Sequence, residues 1–128
     1  MNRPIALGLA MLAGALFGAA AVNGLNAQGK APGAYVVVDI SAITNPDLFK
    51  TLLPIAEKNN KEFNATFVIR TEKIVPLDGT PPKRFVVLAF DSVDKAKAWN
   101  ASAAQKQVDE IRSKSTTSRS FIAEGMSN

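Results

Sequence analysis

The chain has 128 residues, 47% of them hydrophobic and 20% charged, with a formal net charge of +4. Those proportions fit one globular domain, with no room for a second. It contains no histidine and no cysteine, which excludes a Ser-His-Asp triad, a thiol nucleophile, a histidine base, a His- or Cys-bound zinc and any disulfide.

The first stretch, "MNRPIALGLAMLAGALFGAAAVNGLNAQ", places Arg3 before an uncharged run rich in Ala, Leu and Gly from Pro4 to Val22. A short basic region, an apolar region and a small residue at Ala27, with Leu25 at the minus-three position, read as a secretory signal peptide over residues 1–27. The earlier "GAAAV" is an alternative cleavage site. The competing reading is an uncleaved helix, because an apolar run of about eighteen residues is near the spanning minimum. Either reading puts the domain outside the cytoplasm, periplasmic or secreted in a bacterium, and cleavage leaves no stable membrane anchor. Without disulfides in an oxidising compartment, a domain this small is expected to gain buried area by oligomerisation.

"QGKAPG", Gln28 to Gly33, reads as a linker, and a domain over residues 34–126 follows. Its first strand begins with "AYVVVDI" and runs through Ser41. "NPDLF" then opens a helix, with Asn45 as cap, Pro46 at the first helical position and Asp47 at the positive end of the helix dipole. Phe49, Leu52, Leu53, Ala56 and Phe63 form one apolar face, and Pro54 is expected to kink the helix. Ala65 to Leu77 reads as the second strand, "DGTPPK" as a turn and "RFVVLAF" as the third strand, in hairpin with the second. A second helix starts at Asp91 or Ser92, with Val93, Ala96, Trp99, Ala103, Val108 and Ile111 facing inward. "RSFIAEG" is the last strand.

The resulting order, β-α-β-β-α-β, is that of an α+β, ferredoxin-like fold, whose four-stranded antiparallel sheet runs 4-1-3-2 with two helices on one face. The strands placed at its centre are "VVVDI" and "FVVLAF", both apolar on two faces. Helices cover one face only, so a second copy packed sheet against sheet is the expected cover for the other. A standard interface of about 1,600 Å² suffices. The Lys and Arg residues are scattered among acidic ones, with no basic block interleaved with aromatics, so no nucleic-acid partner is expected.

From Ala34 to Gly125 the chain resembles the family catalogued as domain of unknown function 1330, in the dimeric α/β-barrel superfamily. The resemblance rests on "AYVVVDI", Arg70 of "FVIRT", Pro82 and Arg84 of "PPKRFVVLAF", Trp99 closing "AKAW", Ser102, Arg112, and Glu124 with Gly125. The leader followed by "APGAYVVV" is similar to exported members. The resemblance implies a ferredoxin-like fold and a face-to-face dimer, and no established activity. Two features depart from the pattern. "FNAT" stands where members commonly carry Gly-Gly before the second strand, and Asn100 and Gln105 replace aromatic residues, which would make any pocket they line more polar.

The candidate ligand-binding residues are Tyr35, Asp39, Arg70, Arg84, Trp99 and Glu124. On an alternating strand Asp39 shares a face with Tyr35 and Val37. If the aliphatic set faces the helices, Tyr35 and Asp39 point into the dimer's barrel, where a carboxylate needs a partner such as Arg70 or Arg84. That arrangement would hold a small anionic or carbonyl-bearing molecule; the plainer alternative is a structural ion pair or a charge at the strand end. Arg84 stands at the barrel's mouth or is a solvated edge residue. Trp99 is core packing or a ligand platform. Glu124 is a surface carboxylate, or a general base if burial raises its pKa.

The acceptor patterns at Asn64 and Asn100, and the Gly29 to Gly33 stretch without phosphate-loop spacing, carry no function. No metal site and no cofactor are implied. Three readings of function follow: a small-molecule binder with the ligand between sheet and helices, a cofactor-free enzyme like the monooxygenases and isomerases of the wider superfamily, and a structural or stress-associated dimer without ligand. The last expects Asp39, Arg70 and Arg84 to pair with one another and leave no cavity.

Overall fold

The computed structural model describes residues 31–126; the segment read as a signal peptide lies outside them. Its elements are β1 (Ala34–Ile43), α1 (Pro46–Glu62), β2 (Thr66–Thr71), β3 (Arg84–Phe90), α2 (Val93–Ala101), α3 (Ala103–Ser115) and β4 (Thr116–Glu124). All strand pairs are antiparallel, in the order β2-β3-β1-β4. This is the ferredoxin-like sheet expected from the order of elements.

The pleat of β1 sorts its residues. Ala34, Val36, Val38 and Ile40 are buried and join Phe49, Leu52, Leu88, Phe90, Trp99 and Val108 in the core beneath the helices. Tyr35, Val37 and Asp39 take the opposite face with Phe85, Val87 and Ala89 of β3, their register partners. Phe121 of β4, opposite Val37, extends this second face.

Helix α1 starts as its sequence dictates: Leu48 N–H donates to the Asn45 side-chain oxygen at 3.1 Å, and Asp47 lies in the first turn. The helix continues through Pro54, whose missing N–H leaves the exposed Lys50 carbonyl to water. At its end Ala65 N–H donates to the Asn60 carbonyl and Asn64 N–H to that of Lys61, and Asn64 adopts φ 57°. This pairing is a Schellman motif. The tight turn before β2 therefore exists without the Gly-Gly of related sequences, with Asn64 in the left-handed position.

The second helix expected from the sequence is in fact two. Ser102 takes extended angles (φ −68°, ψ 153°), ends α2 and caps α3. Its oxygen donates to the Trp99 carbonyl at 2.7 Å and accepts from Gln105 N–H at 3.2 Å. The break turns the inner face. Ala103, expected inside, is exposed, and Gln105 is buried in its stead.

β2 is also shorter than the run from Ala65 to Leu77, because its last partner on β3 is Phe85, opposite Thr71. Beyond Thr71 the chain has no strand to pair with, and Val75 and Leu77 are 84% and 99% exposed. β4 begins earlier than expected, at Thr116, because a register shift in β1 between Ile40 and Ala42 carries the pairing on to Ile43. Gly33, the last residue of the stretch read as a linker, donates its N–H to the Phe90 carbonyl at 3.1 Å and accepts from Gly125 N–H at 2.9 Å. A Cβ at Gly33 would run into the Asp91 carbonyl, so this closure requires glycine.

Candidate functional site

Between the helix-covered face of the sheet and the helices lies a cavity of about 290 Å³. Its walls are largely apolar: Val38, Ile40, Val86 and Leu88 from the central strands, Phe49 and Leu52 from α1, and Val108 from α3. The volume is near the lower end of the range for small-molecule sites, about 300–1,000 Å³.

Trp99 forms part of the wall and is fixed on two sides. Its ring packs on Phe90 at 5.4 Å between centroids, tilted by 53°. Its indole N–H donates to the Asn60 side-chain oxygen at 2.9 Å, and Asn60 is itself buried. The neighbouring Asn59 donates to the Ser102 hydroxyl at 3.1 Å, so the joint between α2 and α3 is tied to α1. These bonds hold the aromatic wall in one orientation.

Arg70, Arg84 and Arg112 also line the cavity, against one carboxylate, Glu57. The register places Arg84 opposite Ile40 and Arg70 opposite Val86, so both are on the helix-covered face. The Arg84 side chain is largely buried, approaches Phe49 at 5.8 Å and contacts the half-exposed Glu72 carboxylate at 3.4 Å. Arg70 lies 4.4 Å over the Phe67 ring and has no ion-pair partner among the described residues. Arg112 donates to Asp109 at 2.9 Å and to the Ser120 hydroxyl at 3.4 Å.

Of the residues singled out in the sequence, Arg70, Arg84 and Trp99 meet at this cavity, and Tyr35, Asp39 and Glu124 do not. The proposed partnership of Asp39 with Arg70 or Arg84 is corrected. Asp39 stands opposite Phe85 and Arg119, and its carboxylate accepts from Arg119 at 3.3 Å. The cause is parity: Arg84 opposes Ile40, one residue beyond Asp39, and one residue along a strand reverses the face. Tyr35 shares that other face, opposite Ala89 and Ala123. Glu124 is exposed at the end of β4, opposite Ala34.

Asn60, Gln105 and Arg112 line the cavity but were not among the candidates. Asn60 had a legible signal, since it lies four residues after Ala56 and three before Phe63, inside the apolar stripe of α1. Gln105 and Arg112 are separated by seven residues and so share the inner face of α3.

Among the described residues, no group of His, Cys, Asp and Glu is arranged to hold a metal ion, and no helix is long and apolar enough to cross a membrane.

The chain is similar in structure to RPA0582, a protein of unknown function from Rhodopseudomonas palustris, with a TM-score of 0.56 and 10% identity, over 91% of this chain and 100% of that one. The methylated RPA0582 protein gives a TM-score of 0.57 at 10% identity, over 90% and 97%. A dimeric ferredoxin-like protein of unknown function from Thermobifida fusca gives 0.52 at 12% identity, over 73% of this chain and 91% of that one. At such identities the likeness is one of fold. No curated protein matches. The sequence model of one family does match, over residues 33–126, and the chain belongs to that family, described as domain of unknown function (DUF1330).

Proposed function

We propose that the protein binds a small, largely apolar molecule carrying an anionic or carbonyl group, held in the cavity with that group toward Arg70 and Arg84. The observation that carries this reading is an apolar cavity of about 290 Å³ bordered by arginines, of which Arg70 has no carboxylate partner among the described residues. The Arg84 contact is with a half-exposed Glu72 at 3.4 Å, long for a charge-assisted bond, so a ligand carboxylate competes with it readily. The reading without a ligand expects Asp39, Arg70 and Arg84 to neutralise one another. Asp39 instead pairs with Arg119 on the other face of the sheet.

Trp99 makes the test direct, because it is the chain's single tryptophan and part of the cavity wall. Cyclohexanecarboxylate is expected to change its fluorescence saturably. Replacing Arg84 by Ala is expected to weaken that binding by about 1.5–3 kcal/mol, the loss of a hydrogen bond to a charged group. A response insensitive to both Arg70→Ala and Arg84→Ala, or no response, overturns the reading. Native mass spectrometry of the gently purified protein then identifies the natural occupant.

Two further parts of the reading concern assembly and place. The second sheet face, with Val37, Phe85, Val87 and Phe121, supports a homodimer through sheet faces; the Thermobifida fusca protein of the same fold is dimeric. The apolar run from Pro4 to Val22 after Arg3 supports export and cleavage, with the domain periplasmic or secreted. The N-terminal sequence of the protein recovered from outside the cytoplasm tests this, and an intact Met1 there counts against cleavage.

A further inference from the structure

Arg112 lies on the inner face of α3, and its side chain is only 15% exposed. It borders two spaces. One is the cavity; the other is a recess of about 240 Å³ on the β4 side, with Asn100, Asp109 and Ser120 in its wall. Nη2 is the one guanidinium nitrogen with partners among the described residues, Asp109 Oδ1 at 2.9 Å and the Ser120 hydroxyl at 3.4 Å. Both partners border the recess, and neither borders the cavity.

A guanidinium carries an N–H at Nε and two at each terminal nitrogen, so the donors on Nε and Nη1 are unused. They are not sealed in. The buried side-chain polar atom without a partner among the described residues is Gln105 Oε1, so Nε and Nη1 of this largely buried arginine both keep accessible surface. Asp109 takes a second bond, from Gln105 Nε2 at 3.0 Å, and is thereby held beside the guanidinium. The Arg112 charge is balanced within the fold, while part of its hydrogen-bonding capacity is not used.

We propose that Arg112 reads a second polar group on the cavity's ligand, donating a free N–H to an uncharged carbonyl oxygen while the ligand's carboxylate meets Arg84. This rests on the acid-binding reading above and narrows it to oxo acids. An uncharged acceptor fits because a second carboxylate would stand as a like charge beside Asp109, which is close and doubly bonded. Arg84 differs, since its contact with Glu72 is long and open to competition. The two arginines approach from opposite sides of β1: Arg84 is on β3 opposite Ile40, and Arg112 is anchored to Ser120 on β4 opposite Val38. Strands two apart in a sheet are separated by about 9.5 Å. The carbonyl is therefore expected several carbons from the carboxylate, and a series of chain lengths reads the spacing.

The test titrates the full chain, through Trp99 fluorescence, with the straight-chain acids from 4-oxopentanoate to 8-oxononanoate and with the parent alkanoate of each length. At one length or two adjacent ones the oxo acid is expected to bind about tenfold more tightly than its parent, the gain from a hydrogen bond to a charged donor. In Arg112→Met, which keeps an unbranched apolar stem and removes the donors, that preference disappears and the parent acids still bind. A preference that persists in Arg112→Met assigns the carbonyl to another group and overturns the proposal. So does a series in which no oxo acid outbinds its parent while cyclohexanecarboxylate still binds, and the acid-binding reading then stands. If no acid perturbs Trp99, cyclohexanecarboxylate included, the acid-binding reading fails and this proposal falls with it. Should Arg112→Met fail to fold, the infrared band of a carbonyl-labelled oxo acid on the unaltered protein decides: a stretch lowered from its position in an aprotic solvent is expected, and an unshifted band overturns the proposal.

Discussion

Ser102 joins three segments through one hydroxyl. Its oxygen accepts from Gln105 N–H at the start of α3, donates to the Trp99 carbonyl at the end of α2, and accepts from the Asn59 side chain on α1. Two of the residues it touches, Trp99 and Gln105, are cavity walls, and Asn59 adjoins a third, Asn60. Replacing Ser102 by Ala removes a helix cap and strands the buried Asn59 amide, so a loss of about 2 kcal/mol is expected, the upper part of the range for caps. Urea denaturation measures it. The same variant is expected to shift the Trp99 emission, since the turn that aims the indole is no longer pinned; a destabilised protein with unchanged emission would mean that Asn60 and Phe90 suffice to orient the ring.

At the scale of elements, what is local in the chain was legible and what depends on pairing was not. The start of α1 could be read because Asn45, Pro46 and Asp47 act within a single turn. β3 was read to the residue, from an apolar run bounded by a Pro-rich turn. The length of β2 could not be read, because its end is set by where its antiparallel partner β3 begins. The break at Ser102 was hidden for a related reason: Ala103 suits an inner helical face by type, and part of what holds Ser102 extended, the bond from Asn59, comes from another helix. For the site, residue type identified Arg70, Arg84 and Trp99, but the pairing of Asp39 depended on strand parity. The end of α1 gives the element-scale prediction. Asn64 holds φ 57°, which a residue with a Cβ and no local hydrogen bonding adopts at a cost of about 1–2 kcal/mol. Asn64→Ala is expected to lower stability by about 1 kcal/mol, whereas Asn64→Gly leaves it unchanged or raised. Equal losses for both substitutions in thermal denaturation would show that the side chain, and not the backbone angle, matters there.

For the whole molecule the decisive asymmetry is between the two faces of the sheet. One is closed by three helices; the other carries Val37, Phe85 and Val87 on its central strands, with Phe121 at 48% and Ile69 at 39% exposure on the flanking strands. A contiguous apolar surface of this kind marks an interaction site. The Asp39–Arg119 pair borders it and ties β1 to β4 without crossing it. Self-association through this face is the assembly proposed above, and a symmetric pair of such faces would need to bury a standard interface of about 1,600 Å². The protein is therefore expected to sediment as a dimer at micromolar concentration. Phe121→Glu is expected to convert it to a monomer that stays folded, because Phe121 is half exposed within its own chain and its replacement leaves the core intact. Val75→Glu serves as the control: Val75 is 84% exposed in the segment between β2 and β3, outside the sheet, and its replacement is expected to leave the dimer unchanged. A monomeric unaltered protein would refute sheet-face pairing outright, and a Phe121→Glu variant that remains dimeric would move the interface to another surface. The cavity lies on the opposite side of the sheet from Phe121, so cyclohexanecarboxylate binding is expected to survive the loss of the dimer. If binding is lost with it, the second copy must complete the site.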